Sequence, residues 1–264
     1  MIDKLLKKAF EKNHEMIECQ KENMRVAKKE NQLRKALGGG ILAGDIIFVK
    51  RALYYHFAVY LGDNSVIHYS PTSYSTADAF ANVTNGPLNI LASQALAFVL
   101  PELPHPELVG APSAVAIHPA DINEFLDGNT EFYGLDFGEF SNAKLIAQLI
   151  AQSRSISENI VDMIQGDFGS KKIHLYSPEV TIQRAKKRIG ERGYNVIANN
   201  CESFAFWCKI GMNWSAQGRL PFWGESAMMR AMVSSGVCIN KYGINNRGEV
   251  LMIKKMSDKE LAIL

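Results

Sequence analysis

Cys201, His56 and His68 have the residue types and spacing for nucleophilic chemistry. Cys201 opens the string CESFAFWCKIG, which follows the turn residues Asn199 and Asn200 and stops at Gly211, so its thiol falls at a predicted helix N-terminus. Unsatisfied N–H groups and the positive end of the helix dipole favour a thiolate there. The same N–H groups suit the oxyanion of a tetrahedral intermediate. His56 begins the strand-like run HFAVYLG and His68 lies in VIHYSP, with the turn signal Gly62-Asp63-Asn64 between them. At about equal distances from that turn, the two imidazoles are predicted to meet on neighbouring antiparallel strands. His56 then suits the role of base and His68 that of the group holding its other nitrogen. On spacing alone a plainer reading competes: a small buried thiol and two satisfied core histidines.

Around these residues, Tyr60 alternates with Ala58 and His56 on one strand face, where it either packs or borders a cleft. Asn200 and Ser203 flank the thiol as candidate cleft-lining residues. Cys208 lies two turns deeper on the same helix and is expected to be packing. His105, His118 and His174 fall in separate segments without ligand spacing, and no HExxH pair exists, so neither a metal nor a cofactor is expected.

The elements that must hold this site can be read from periodicity. Residues 1–37 read as a charged helix with Ile2, Leu5, Leu6, Ala9, Phe10, Met16 and Ile17 at near-helical spacing, ended by Gly38-Gly39-Gly40. It is expected to be solvated or partner-packed, with a membrane-surface or self-association role as the alternative. ILAGDIIFVKR, HFAVYLG and VIHYSP predict strand, strand, hairpin turn, strand. Residues 80–137, with the Pro-rich passage PELPHPELVGAP, read as an inserted lobe whose apolar part, Pro87 to Pro101, predicts a core helix, with a lid or lipid-docking role as the alternative. Residues 141–165 predict a helix, and Ser177-Pro178-Glu179 caps another running to Gly190 or Gly193. YNVI predicts a short strand. The division expected is a helix over 1–37, a catalytic domain over 38–212 and a C-terminal extension over 213–264, the last with a methionine-bearing helix and a hairpin near Asn245-Asn246.

Composition narrows the classes. The chain has 264 residues, 47% of them apolar, and a net charge of only +2. The basic excess sits in the first 37 residues, and no basic face with aromatic platforms follows, which argues against nucleic acid. Four cysteines without CxxC spacing predict free thiols in a reducing compartment. No signal-peptide pattern or spanning apolar run is present, so a cytoplasmic or peripherally membrane-associated protein is expected, with signal-less export left open.

The strings HFAVYLG, VIHYSP and NNCESFAFWCKIG, in that order, together with YSPEVTIQRAKKRIGERGYNVIANNCESF, resemble the lecithin:retinol acyltransferase-like (NC-domain) family. The resemblance covers roughly residues 41–75 and 173–212. It implies an α+β, circularly permuted papain-like fold in which the histidine-bearing sheet precedes the cysteine helix. It also implies His56 as general base, His68 as orienting residue and Cys201 as the nucleophile carrying a transient thioester. The implied substrate is a phospholipid or other acyl-lipid ester. An amide bond, as in related peptidases, and a non-catalytic binding module are the alternatives. Where a variant of the signature has His, this chain has Ser203.

Overall fold

The computed structural model describes residues 2–51, 55–71, 115–154, 173–193, 200–212 and 231–261. In chain order these form α1 (Ile2–Ala36), β1 (Ile46–Lys50), β2 (Tyr55–Gly62), β3 (Ser65–Pro71), β4 (Val115–Asp121), α2 (Ile122–Leu126), β5 (Glu131–Asp136), α3 (Asn142–Arg154), α4 (Pro178–Lys187), α5 (Cys201–Ile210), β6 (Cys238–Ile244), β7 (Val250–Lys255) and α6 (Asp258–Leu261). The strands make one seven-stranded antiparallel sheet in the order β4-β3-β2-β1-β5-β6-β7. The fold is α+β.

Side-chain alternation divides the core. Ile46, Phe48, Tyr55, Phe57, Val59 and Leu135 meet α1, α3, α4 and α5 on one side of the sheet. Ile47, Val49, Ala58, Tyr60 and Phe132 meet Ile122, Phe125 and Leu126 of α2 on the other. This is the period-two signature of strands buried on both faces.

The β2–β3 hairpin forms as its turn residues predict. Asp63 and Asn64 both take positive φ, at 47° and 58°, the conformation a two-residue hairpin turn demands. The turn pairs Gly62 with Ser65, which alone would set His68 opposite Val59; a one-residue register shift between Tyr60 and Gly62 sets it opposite Ala58, on the face of His56 but not opposite it. The two histidines are therefore diagonal neighbours on one face, not direct partners.

Three expectations need correction. Residues 115–136 are not part of an inserted lobe: β4 pairs with β3 along its length and β5 pairs with β1 in the middle of the sheet. Pro119 misleads here, but a strand at the sheet's edge tolerates a residue without an N–H. The C-terminal residues are likewise continuous with the sheet, since β6 pairs with β5 and the β6–β7 hairpin turns at Asn245–Gly248 near the expected position. Helix α1, expected to be solvated or partner-packed, packs against the domain along one stripe. Phe10, Met16 and Ile17 are exposed, whereas Cys19, Asn23, Ala27, Glu30 and Arg34, at three- and four-residue spacing, are buried.

That buried stripe is polar, and its members have partners. The Asn23 amide donates to the Ile173 carbonyl at 2.8 Å and accepts from the Leu175 N–H at 2.7 Å. Arg34 grips Asp45 through two bonds of 2.9 Å and lies 3.1 Å from Asp136 at the end of β5. Glu30 receives Lys209 of α5 at 2.6 Å, with both side chains essentially solvent-free. The helix stops in paired bonds from Gly38 N–H to the Lys35 carbonyl and from Gly39 N–H to the Arg34 carbonyl, the glycine-terminated pattern that its sequence predicts.

Helices α4 and α5 start where their capping residues predict. Ser177 caps α4, which ends at Lys187, short of the expected glycines. Arg184 of α4 lies between the rings of Tyr176 and Trp207, at 4.1 and 3.8 Å, and donates to the Trp207 carbonyl, fixing α4 against α5. The expected core helix at Pro87–Pro101, the second half of the 141–165 helix, the YNVI strand, Met228 and Met229 lie outside the described residues.

Candidate active site

Helix α5 is held at its first turn by a reciprocal cap. The Asn200 side chain accepts from the Ser203 N–H at 2.9 Å, and the Ser203 hydroxyl accepts from the Asn200 N–H at 2.9 Å. Both residues are buried. They position the thiol by fixing where the helix begins. Serine at 203 has a structural reason, because its hydroxyl closes the cap. Tyr60 likewise packs in the cluster beneath α2.

The Cys201 sulfur lies beside the backbone of β2, with Sγ 3.9 Å from the Tyr55 carbonyl. Here the sheet opens. The β2–β3 ladder runs from Gly62↔Ser65 to Ala58↔His68 and stops, while β2 continues to Tyr55 on β1, and β3 continues to Pro71 on β4. Burial pushes the Cys201 thiol up to about 12, outweighing the Phe57 and Glu202 N–H groups that favour the thiolate. The resting group is thus a protonated thiol, not the activated one expected from the helix dipole, because desolvation exceeds the helix contribution.

His56 and His68 meet as expected, with His56 Nε2 3.0 Å from His68 Nδ1. Their contacts form a longer chain. His68 Nε2 is 2.9 Å from Ser70 Oγ, which is 2.9 Å from His118 Nε2, and His118 Nδ1 is 3.1 Å from the Pro119 carbonyl. A carbonyl only accepts, so His118 carries its proton on Nδ1 and presents a lone pair at Nε2. Ser70 then donates to His118 and accepts from His68 Nε2–H. His68 Nδ1 must accept from His56 Nε2–H, which leaves the basic lone pair of His56 on Nδ1. One backbone carbonyl thereby sets three tautomers; they follow from hydrogen-bond matching rather than from hydrogen positions.

The His56 ring stacks on Phe125, with centroids 5.3 Å apart, on the face of β2 opposite to the cluster that holds Cys201. The sulfur's hydrogen bond goes to the Tyr55 carbonyl rather than to an imidazole. The structure thus joins the two histidines and sets the thiol against the backbone that flanks residue 56.

Burial, with Arg51 and His118 adding to it, holds His56 neutral, its pKa brought down from 6.5 to about 3. Burial, followed by His56, His118 and Arg51, lowers His68 in the same direction. Below pH 6.5 the unfolded chain takes up these protons and the folded chain does not. Stability is therefore complete above that pH and falls on acidification toward the folded pKa, by about 1.4 kcal/mol per pH unit for each imidazole. Urea unfolding at pH 7 and pH 5 is expected to show the loss, with a shallower slope for His56→Gln. Equal slopes would contradict burial of the neutral pair.

Ser70 and His118 belong to this constellation and are not flagged by sequence pattern. Their signal lies in the β3–β4 register, which sets His68 opposite His118, and Pro119 hides the second strand. A thiol–imidazole contact does occur away from this site: Cys19 Sγ lies 3.5 Å from His174 Nδ1 and ties α1 to the segment before α4.

An antiparallel sheet carrying coupled histidines, backed by a helix that presents a cysteine at its first turn, is an arrangement of the papain-like thiol class. The sequence matches the lecithin retinol acyltransferase family over residues 40–103 and 109–214, and the chain belongs to that family, whose activities are acyltransferase and thiol-hydrolase-like. Comparison with curated proteins returns no match. Among the described residues no helix is long and apolar enough to cross a membrane.

Proposed function

We propose that the protein is a thiol-dependent acyltransferase or acyl hydrolase acting on phospholipid or other acyl-lipid esters. Cys201 attacks the ester carbonyl, an S–C bond forms, and the thiol proton passes to His56 Nδ1. The tetrahedral intermediate collapses with loss of the alkoxide, which takes that proton. The resulting thioester then passes its acyl group to an amine, an alcohol or water, and the thiol is restored. The observation that carries this reading is the hydrogen-bond chain from Pro119 to His56, which gives the histidine beside the Cys201-contacting backbone a defined base. Attack requires the thiol to approach His56 Nδ1 around the open end of the β2–β3 ladder, with the His56–His68 bond kept. The α5 N–H groups receive the oxyanion. The domain is read as a circularly permuted papain-like fold, because its histidine strands precede its cysteine helix.

Peripheral membrane contact fits the exposed Phe10, Met16 and Ile17 on the basic α1, a surface equally suited to self-association. The buried, protonated thiol favours a second reading, a non-catalytic binding module. Incubation with phosphatidylcholine vesicles or with a peptide amide, followed by mass spectrometry of the Cys201 peptide, separates these readings. An acyl adduct from the vesicles alone is expected. An adduct from the amide would move the activity to amidase or peptidase chemistry, and no adduct from either would leave the binding module.

A further inference from the structure

The geometry points to a site for a divalent transition-metal ion of the zinc class, formed by His68 Nε2, His118 Nε2 and a Glu124 carboxylate oxygen, whose occupancy switches off the His56 base. One ligand atom from each residue lies within 4.8 Å of the others. Ser70 Oγ sits between the imidazoles, 2.9 Å from each Nε2, and Glu124 Oε1 is 4.0 Å from His68 Nε2. Two imidazoles and a carboxylate are a donor set that zinc takes at about 2.0–2.2 Å per ligand, with a fourth position left to water. The ligands need only close on the centre as the Ser70 hydroxyl yields it. Their rings meet edge to face, with centroids 4.7 Å apart and planes at 62°, so they do not stack face to face. His68 is buried and Glu124 is exposed, so the ion enters from the Glu124 side.

The outer contacts are those that metal-bound histidines require. His118 Nδ1 donates to the Pro119 carbonyl at 3.1 Å, and His68 Nδ1 lies 3.0 Å from His56 Nε2. Metal on His68 Nε2 moves that ring's proton to Nδ1, from which it is donated to His56 Nε2. His56 must then carry its own single proton on Nδ1, the atom that is otherwise the base. The His56–His68 hydrogen bond therefore has two directions, and the cation selects the inactive one. The inhibitory half of this inference rests on the function proposed above; the binding half does not.

The test uses the full chain stripped with a chelator and titrated with Zn²⁺ and with Co²⁺. One equivalent is expected to bind, with visible cobalt absorption of a nitrogen and oxygen site. Glu124→Gln, at an exposed position, and His118→Ala are each expected to weaken zinc by at least about tenfold. Zinc is expected to inhibit acyl transfer in the parent chain and less so in Glu124→Gln. A thiolate-to-cobalt charge-transfer band, or unchanged zinc affinity in both variants, would put the ion elsewhere and overturn the site. Absence of turnover with the metal removed would count against the acyl-transfer reading while leaving the binding result standing.

Discussion

Cys201→Ala is expected to abolish acyl transfer, with a fall in kcat on the order of 10⁵-fold or more, as deletion of a covalent nucleophile produces elsewhere. Removing one small buried sulfur leaves the capped helix intact, so the variant should melt close to the parent. The resting thiol is buried and held near 12. Alkylation by iodoacetamide at neutral pH should therefore be slow in the parent, faster when lipid is present, and absent at this position in the variant. Retained turnover in Cys201→Ala would place the nucleophile elsewhere. Along the histidine chain the losses should be graded. His56→Gln removes the base, a step worth about 10²–10⁴ in rate, whereas His68→Gln removes the group that sets its tautomer and should cost less. A reversed order would exchange their roles.

The second large effect concerns stability. Lys209 and Glu30 form a solvent-free ion pair at 2.6 Å between α5 and α1, with the Lys209 Nζ also 5.6 Å from the centre of the Phe137 ring. Burial raises the Glu30 carboxyl above its usual range, and Lys209 works against that rise. Its second oxygen has no hydrogen-bond partner among the described residues, so the pair is not richly solvated by protein. Lys209→Met leaves a buried carboxylate alone and is expected to cost about 3–5 kcal/mol in urea unfolding. The double change Glu30→Leu with Lys209→Met removes both charges and should recover most of that loss. A single-variant cost under about 1 kcal/mol would mean that water reaches the pair.

Much of the site was legible because its signals are local. The cap at Asn200 and Ser203, the stop at Gly211, the turn at Asp63-Asn64 and the strand alternation around His56 each depend on a few adjacent residues, and each formed. What local pattern does not report is register and burial. A one-residue shift near Tyr60 moves His68 from opposite Val59 to opposite Ala58, onto the face that carries His56, and diagonal contact makes the pair. Ser70 and His118 joined the site through pairing between strands separated by more than 40 residues. The thiol's ionisation was misjudged because a helix N-terminus is visible in sequence and the desolvation opposing it is not. The packing of α1 on the domain is hidden for a related reason: Asn23, Glu30 and Arg34 look like surface residues until their distant partners are known.

That polar stripe also fixes how much chain makes a self-sufficient unit. The family match begins at residue 40, just past the glycines, and a protein engineer would be tempted to cut there. Such a cut would orphan Lys209, Asp45 and Asp136 together, because the groups that neutralise them are Glu30 and Arg34. The helix preceding the family domain is therefore its missing set of counter-ions, and the smallest fragment worth expressing retains it at least from Cys19 onward.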